Sequence, residues 1–366
     1  MIPVTRPDVT EEDAAIVRNE ISEGWISSEG PYVEQFEKNF SSYIGMAEGV
    51  SVTSGTAALD VIFKSIKLNP GSEIIVPSMN ISSCLNGIFQ NGYKPVFVDC
   101  NLTDYNSDFT AIVDKVTNKT GAIVLTHIYG LGADASSIRQ YCSNQNIILI
   151  EDTAQAIGLK IKEQNAGTFG DYSTFSFYPN KMITTGEGGM ILTNNHEKAV
   201  DFRKIRNLSF DENLRFFHDD FSSNYRMTNM QAALGFSQLC RVSNFILHRK
   251  KLGETYNKYL KNYNEIQIPL TQNRFSENCY WAYPIIIKDR ALRERVLNKL
   301  KNNKIGYRTL FYPLNLQPAL TKFKLEIVND CPNAELLYET GFYLPIGNGI
   351  SEYEVAQVCE IVISVL

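Results

Sequence analysis

Apolar positions along this chain recur with two different periods. Val33, Phe36, Phe40 and Tyr43 follow one another at three- and four-residue steps, the spacing of one helix face. Ala14, Val17 and Ile21 do the same behind Thr10-Glu-Glu-Asp13, which has the form of a capping box. Turn-rich Gly24-Trp-Ile-Ser-Ser-Glu-Gly-Pro31 separates these two helices, and Gly55 to Leu68 reads as a third. The period then changes. Glu73-Ile-Ile-Val-Pro77, Val96-Phe-Val-Asp99, Ala122-Ile-Val-Leu-Thr126 and Ile147-Ile-Leu-Ile-Glu-Asp152 are short apolar runs with helical segments between them. Strands that are apolar on both faces and alternate with helices imply βαβ units, hence an α/β fold with a mainly parallel sheet covered on both sides.

Thr174 to Phe177 and Gly189 to Leu192 read as two further strands joined by a polar, Gly-rich turn. A long helical run follows from about Asn229 to Tyr263. Its first half is apolar (Ala232, Ala233, Leu234, Leu239) and its second Lys-rich, as in a helix that leaves one domain and enters another. Beyond it come a strand at Trp281 to Ile287 and helices near 290–303 and 351–365. The expected division is a large α/β domain over 1–240, with an N-terminal segment able to pack on the rest, and a smaller α+β domain over 241–366.

Composition narrows the possible partners. The 366 residues carry 35 Lys and Arg against 40 Asp and Glu, a net charge of -5. That balance gives no general attraction to nucleic acid or an anionic membrane, yet leaves room for a local phosphate pocket. The longest apolar stretch, Tyr280 to Ile287, is far short of the roughly 20 residues that span a bilayer. The first residues show no secretory h-region, so a cytoplasmic location is expected. The seven cysteines form no CxxC pair, and the four histidines have no helical metal spacing, so no metal is expected. There is no P-loop and no GxSxG elbow, and Gly130-Leu-Gly132 continues as Ala-Asp-Ala rather than as a dinucleotide fingerprint.

What remains is polar chemistry at the carboxyl ends of the expected strands, where open α/β sheets bind ligands. Asp152 closes the most apolar strand; on its own it could equally cap the next helix. Ser54-Gly55-Thr56 precedes a helix, and such a turn offers free N–H groups and a positive dipole end to a phosphate, or simply a Ser cap. Lys181 lies in the turn between two apolar strands. Phosphate turn, acid and lysine, in that order, are the parts a pyridoxal phosphate (PLP) enzyme needs.

Over nearly its full length the chain resembles the DegT/DnrJ/EryC1/StrS sugar aminotransferases, within the fold-type I PLP enzymes. The resemblance is carried by Gly24-Trp-Ile-Ser-Ser with Gly30-Pro31, Ser54-Gly-Thr-Ala-Ala58, Glu151-Asp-Thr-Ala-Gln-Ala156, Gly167-Thr-Phe-Gly-Asp171, Ser173 to Gly189 and Asn224-Tyr-Arg-Met-Thr-Asn229. Within the family the segments are most similar to those of the perosamine-forming members, which aminate GDP-4-keto-6-deoxymannose. The resemblance implies that Lys181 binds PLP as a Schiff base and then shuttles a proton, and that Asp152 pairs with the pyridine nitrogen. Gln155 would lie beside the ring, and Gly55, Thr56 and Ser176 would hold the phosphate. Asn224 would reach the phosphate of a neighbouring subunit, which implies a homodimer with shared sites. Arg226, Arg308, Ser27 and Asn315 are candidate contacts for the sugar nucleotide or the donor carboxylate.

Three positions depart from the pattern. Ile81 stands where relatives usually place an aromatic on the PLP ring, Gln155 replaces a Glu of the perosamine-forming members, and Asn315 replaces a frequent His. The expected reaction is transfer of an amino group, with glutamate as donor, to a nucleotide-linked 4-keto-6-deoxy sugar for surface polysaccharide. Amination of a keto-sugar or keto-cyclitol without a nucleotide is the alternative. A PLP-dependent sugar dehydratase is a further one, against which Lys181 argues, because such dehydratases usually have His there.

Overall fold

In chain order the helices α1 (Glu11–Glu23) and α2 (Pro31–Ile44) precede the first strand, β1 (Glu48–Val52). Then α3 (Gly55–Ser65), β2 (Glu73–Pro77), α4 (Ser83–Gln90), β3 (Lys94–Val98), α5 (Phe109–Val113), β4 (Thr120–Thr126), α6 (Ala135–Gln145) and β5 (Ile148–Asp152) alternate. A small hairpin of β6 (Lys160–Ile161) and β7 (Gln164–Asn165) leads to β8 (Tyr172–Ser176), β9 (Gly189–Thr193) and α7 (His196–Ile205). The helices α8 (Asn229–Cys240) and α9 (Val242–Leu260) carry the chain onward. The remainder comprises β10 (Tyr283–Ile286), α10 (Arg290–Asn302), β11 (Arg308–Thr309), α11 (Pro332–Thr340), β12 (Gly341–Leu344) and α12 (Glu352–Ile363). This computed structural model describes residues 1–366 apart from 212, 213, 215 and 324–329.

The apolar runs at 73, 96, 122 and 147 form adjacent parallel strands in a seven-stranded sheet of order β1-β9-β8-β5-β4-β2-β3, in which β9 alone is reversed. Ile74, Val76, Val124 and Ile150 face one buried cluster, and Ile75, Ile123, Leu125 and Leu149 the other, so both faces of the sheet are covered. This is why these strands lack polar alternation. The parallel register brings Thr126 beside Asp152, and Asp152 beside Thr174, at one edge of the sheet.

Helix α2 uses its apolar stripe as the spacing predicts. Phe36 and Phe40 are fully buried, and Phe40 meets Phe175 and Phe177 edge-on at 4.9 and 5.1 Å. This aromatic cluster fixes the end of β8, where Ser176 lies.

Helix α1 behaves differently. Its capping box forms, but Ile21 is 53% exposed while Asp13 and Glu20 are buried. Asp13 accepts hydrogen bonds from Ser237 (2.6 Å), Gln238 (2.8 Å) and Arg241, and Glu20 from Asn229 (2.7 Å). The face toward α8 is therefore polar, and the apolar stripe read from the sequence points partly outward.

The long helical run of 229–263 is two helices meeting at Arg241, whose guanidinium also pairs with Asp8 at 2.9 Å. A third cluster, with Leu252, Tyr256, Tyr283, Ile285, Val296, Phe342, Leu344, Val355 and Val362, surrounds the three-stranded sheet β10-β12-β11. The N-terminal segment is strapped onto it. The Ile2 carbonyl accepts from the Gly306 N–H (2.7 Å), the Val4 carbonyl from Ile346 (3.0 Å), and Arg6 pairs with Glu354 at 2.9 Å. Among the described residues no helix is long and apolar enough to cross a membrane.

Candidate active site

The site begins where β5 stops. Asp152 is its last residue and is buried, and no helix follows; Oδ1 accepts the Ala154 N–H at 3.2 Å in a tight turn. The helix-cap reading therefore does not hold. Burial pushes this carboxyl up from its ordinary range, opposed in part by the Ala154 amide, Lys181, Asn80 and His127. Asn80, after β2, also donates to Thr126 Oγ1 at 2.9 Å, which fixes the amide between two strand ends.

One residue earlier, Glu151 points to the opposite face, as the two-residue period of a strand requires. It is fully buried and fully occupied. It accepts from His127 Nε2 (2.8 Å) and from the backbone N–H of Gly167 (2.6 Å), Phe169 (2.9 Å) and Gly170 (3.0 Å). His127 Nδ1 in turn accepts the Ala133 N–H at 3.1 Å, so the hydrogen lies on Nε2. Glu151 thus ties the loop behind the sheet, and Asp152 takes the opposite face, toward Asn80 and Lys181.

Lys181 sits on the turn between β8 and β9, closed by Lys181 N–H to the Tyr178 carbonyl and Thr185 N–H to the Phe177 carbonyl, both 2.9 Å. Its half-buried side chain places Nζ 4.4 Å from the centre of the Trp281 ring. Burial lowers the amine from 10.5 to about 8, with Asp152 pulling upward and Arg249 pushing further down. An amine in that range is partly neutral near physiological pH and can act as a nucleophile and base.

At the N-terminus of α3, Ser54 Oγ accepts the Ala57 N–H at 3.1 Å, so the Ser-cap reading of this turn holds. Gly55 and Thr56 follow in the first turn, whose N–H groups have no intrahelical acceptors. A Cβ on Gly55 would lie 3.0 Å from the Ser176 Cβ, and one on Gly189 would lie 2.4 Å from the Ser54 carbonyl carbon. The backbone here approaches β8 and β9 as closely as it can. This narrow, positively polarised cradle of Gly55, Thr56 and Ser176 has the donor chemistry a phosphate requires.

The other predicted residues divide into two groups. Gln155 is buried at the sheet edge, its Oε1 accepting the Tyr129 N–H at 2.8 Å. Tyr129 adopts a left-handed φ of 52° and stacks on Trp281 and Phe311, beside the Lys181 turn. Ile81 follows Asn80 and is half exposed, and Asn315 Oδ1 accepts from Ser78 Oγ (2.6 Å) after β2. Arg308, exposed on β11, pairs across the small sheet with Tyr343. Ser27, Asn224 and Arg226 form a second group. Ser27 and Arg226 line a cavity of about 900 Å³ with Arg203 and Arg206, and exposed Asn224 accepts the Arg226 N–H at 3.2 Å.

The structure adds Asn80, His127, Glu151, Trp281, Arg249 and Asn348, which sequence reasoning did not single out. For Arg249 a signal exists. It falls in phase with Phe245, Leu252, Tyr256 and Leu260, the buried stripe of α9, so a charged residue occupies a core position.

A parallel-sheet α/β fold that sets a lysine of lowered pKa near a buried acid, with an anion cradle at a helix start, has the layout of a group-transfer enzyme. The chain belongs to the DegT/DnrJ/EryC1/StrS aminotransferase family, whose model matches residues 7–363. It is 34% identical over 362 residues to GDP-perosamine synthase of Escherichia coli O157:H7, across 98% of this chain and 97% of that protein. The aminotransferase TlmJ of Streptoalloteichus hindustanus is similar with a TM-score of 0.93 and 27% identity, over 100% of this chain and 98% of that one. Spr1654 of Streptococcus pneumoniae, solved in its PLP form, is similar with a TM-score of 0.90 and 25% identity, over 100% and 99%.

Proposed function

We propose that this aminotransferase binds PLP at Lys181 and moves the amino group of glutamate onto C4 of a nucleotide-linked 4-keto-6-deoxy sugar, as a GDP-perosamine synthase does. The observation that carries the reading is Lys181 facing buried Asp152 beside the cradle of Gly55, Thr56 and Ser176. When bound, the cofactor supplies an aldehyde carbon and an electron-withdrawing ring. Lys181, its amine lowered to about 8, would hold the cofactor through that carbon with release of water, and once freed would serve as the base that moves the donor's Cα proton. Asp152, whose burial resists ionisation, would gain a cationic partner in the ring nitrogen and would hold a proton on that atom. Asn80 orients that carboxylate. Gln155, held by the Tyr129 amide, would lie beside the ring, and Ile81 would cover it by dispersion.

The sugar nucleotide is supported by the 34% identity to GDP-perosamine synthase over nearly the whole of both chains. Arg226 and the Ser27 hydroxyl line one cavity and offer a cation and a neutral donor suited to a diphosphate, whereas Arg203 and Arg206 there are paired with Glu48 and Glu37. Asn224 lies exposed among residues a second copy could cover, including Phe221 at 87% exposure, which supports a homodimer with shared sites. Arg308 and Asn315 would contact the sugar or the donor carboxylate.

The deciding experiment supplies glutamate and GDP-, dTDP- or UDP-linked 4-keto-6-deoxy sugars to the purified protein and reads product mass. Exchange of the ketone for an amine on the GDP-linked sugar is the expected outcome. Loss of water with the ketone retained, or no transfer to any of the three, overturns the reading.

A further inference from the structure

The guanidinium of Arg249 reaches from the middle of α9 into the core, fully buried, and among the described residues all its hydrogen bonds go to neutral oxygens. Nη2 donates to the carbonyls of Lys181 (2.9 Å) and Asn180 (3.3 Å), Nη1 to the carbonyl of Trp281 (2.9 Å), and Nε to Asn348 Oδ1 (2.7 Å). Asn348 closes the figure by donating through Nδ2 to the Met182 carbonyl at 2.8 Å. Three consecutive carbonyls of the lysine turn, Asn180 to Met182, are thus held from the C-terminal part of the chain. So is the backbone of the residue whose ring lies under the lysine amine.

A buried cation without a carboxylate is costly unless every donor is used. An apolar residue in phase with Phe245 and Leu252 would fill the same core position at lower cost, so helix packing does not account for Arg249. The fork does. A planar guanidinium can bind several carbonyls set at an angle to one another, and a lysine ammonium cannot reproduce that geometry.

We propose that Arg249 is a positioning residue, which with Asn348 locks the Lys181 turn and the Trp281 backbone into one arrangement and so keeps the lysine amine over the indole and facing Asp152. This rests on the reading of Lys181 as the cofactor-binding lysine. The inference explains how two regions far apart in sequence, 180–182 and 281, stay in register at the reacting amine. It also places a fixed positive charge behind that amine. The charged and titratable groups around it are Asp152 from β5, which favours the protonated amine, and Arg249 from α9, which opposes it. His127, the residue after β4, acts on Asp152, and Cys279, its thiol pushed up to about 11 by burial, faces Arg249 and is neutral at working pH.

The test uses the full-length holoenzyme and the variants Arg249→Lys, Arg249→Met and Asn348→Ala. Three readouts serve: kcat and KM for the keto sugar, the pH midpoint of the visible cofactor band, and the rate at which borohydride fixes PLP onto Lys181. With the fork lost, kcat falls about tenfold or more in both Arg249 variants and a few-fold in Asn348→Ala, while KM stays within about twofold. Arg249→Met, which loses the cation, raises the pH midpoint by about one unit, and Arg249→Lys moves it less. Fixation slows in all three. Variants that fold with wild-type kcat, fixation rate and pH midpoint, differing only in melting temperature, overturn the inference. If Arg249→Met does not fold, the other two decide by the same readouts. A wild-type protein with no visible band and no fixation at Lys181 would instead overturn the reading of the lysine itself.

Discussion

Lys181 carries a cost in the empty protein that it repays in chemistry. Its amine titrates near 8 in the fold and near 10.5 when unfolded, so between those values the unfolded chain holds more protons and stability rises with pH. Below pH 8 the cost is present in full; it fades as pH climbs toward 10.5. In cofactor-free protein, the stability difference between wild type and Lys181→Met should therefore shift in favour of wild type from pH 7.5 to 10.5, by at most about 3 kcal/mol. Urea unfolding at the two pH values measures it, and a difference that stays flat would mean the amine is not held in a desolvating site. The same side chain shows what the sequence could and could not convey. Its place between two apolar strands and its match to a family motif were readable. The indole beneath it was not, because Trp281 comes a hundred residues later, and neither was Arg249, because His248-Arg-Lys-Lys251 reads as a solvated stretch until its phase with Phe245 and Leu252 is counted.

Among the elements, legibility follows how apolar the buried residues of each one are. The strands β2 to β5 are covered on both faces, so their composition announced them. The strand β1, Glu48-Gly-Val-Ser-Val52, did not, although it is as buried as β2, since polar Ser51 bonds Glu37 and Gly49 packs on the Glu37 backbone. The break between α8 and α9 has no Gly or Pro to mark it, and it is enforced from outside by Asp8 and Asp13 on Arg241. The close approach of β9 to the turn before α3 gives the sharpest prediction at this scale. Gly189→Ala would set a methyl 2.4 Å from the Ser54 carbonyl and displace the Gly55–Thr56 turn. We expect PLP affinity to weaken about tenfold or more, with a stability loss of about 1–3 kcal/mol, read by cofactor titration and by the unfolding midpoint. An unchanged affinity would detach this turn from the phosphate.

For the whole molecule, the question is whether one chain makes one site. The lysine, acid and cradle converge within the chain, while Asn224 belongs to a second, outward-facing group. If Asn224 serves the neighbouring copy's phosphate, then Lys181→Ala and Asn224→Asp, each inactive alone, should complement when mixed, unfolded and refolded together. Each mixed dimer then holds one intact site, and random pairing restores about a quarter of wild-type activity. No recovery despite mixed dimers detected by native mass spectrometry would place Asn224 in its own chain's site. The strap formed by Ile2 to Arg6 has a different consequence, one that concerns synthesis. Its partners lie at 304–306 and 346–354, so this segment cannot settle until those much later ones have been made. Closing the strap on the third cluster is then a long-range event, and Ile2 and Val4 stay unmatched until the segment at 346–354 has been synthesised.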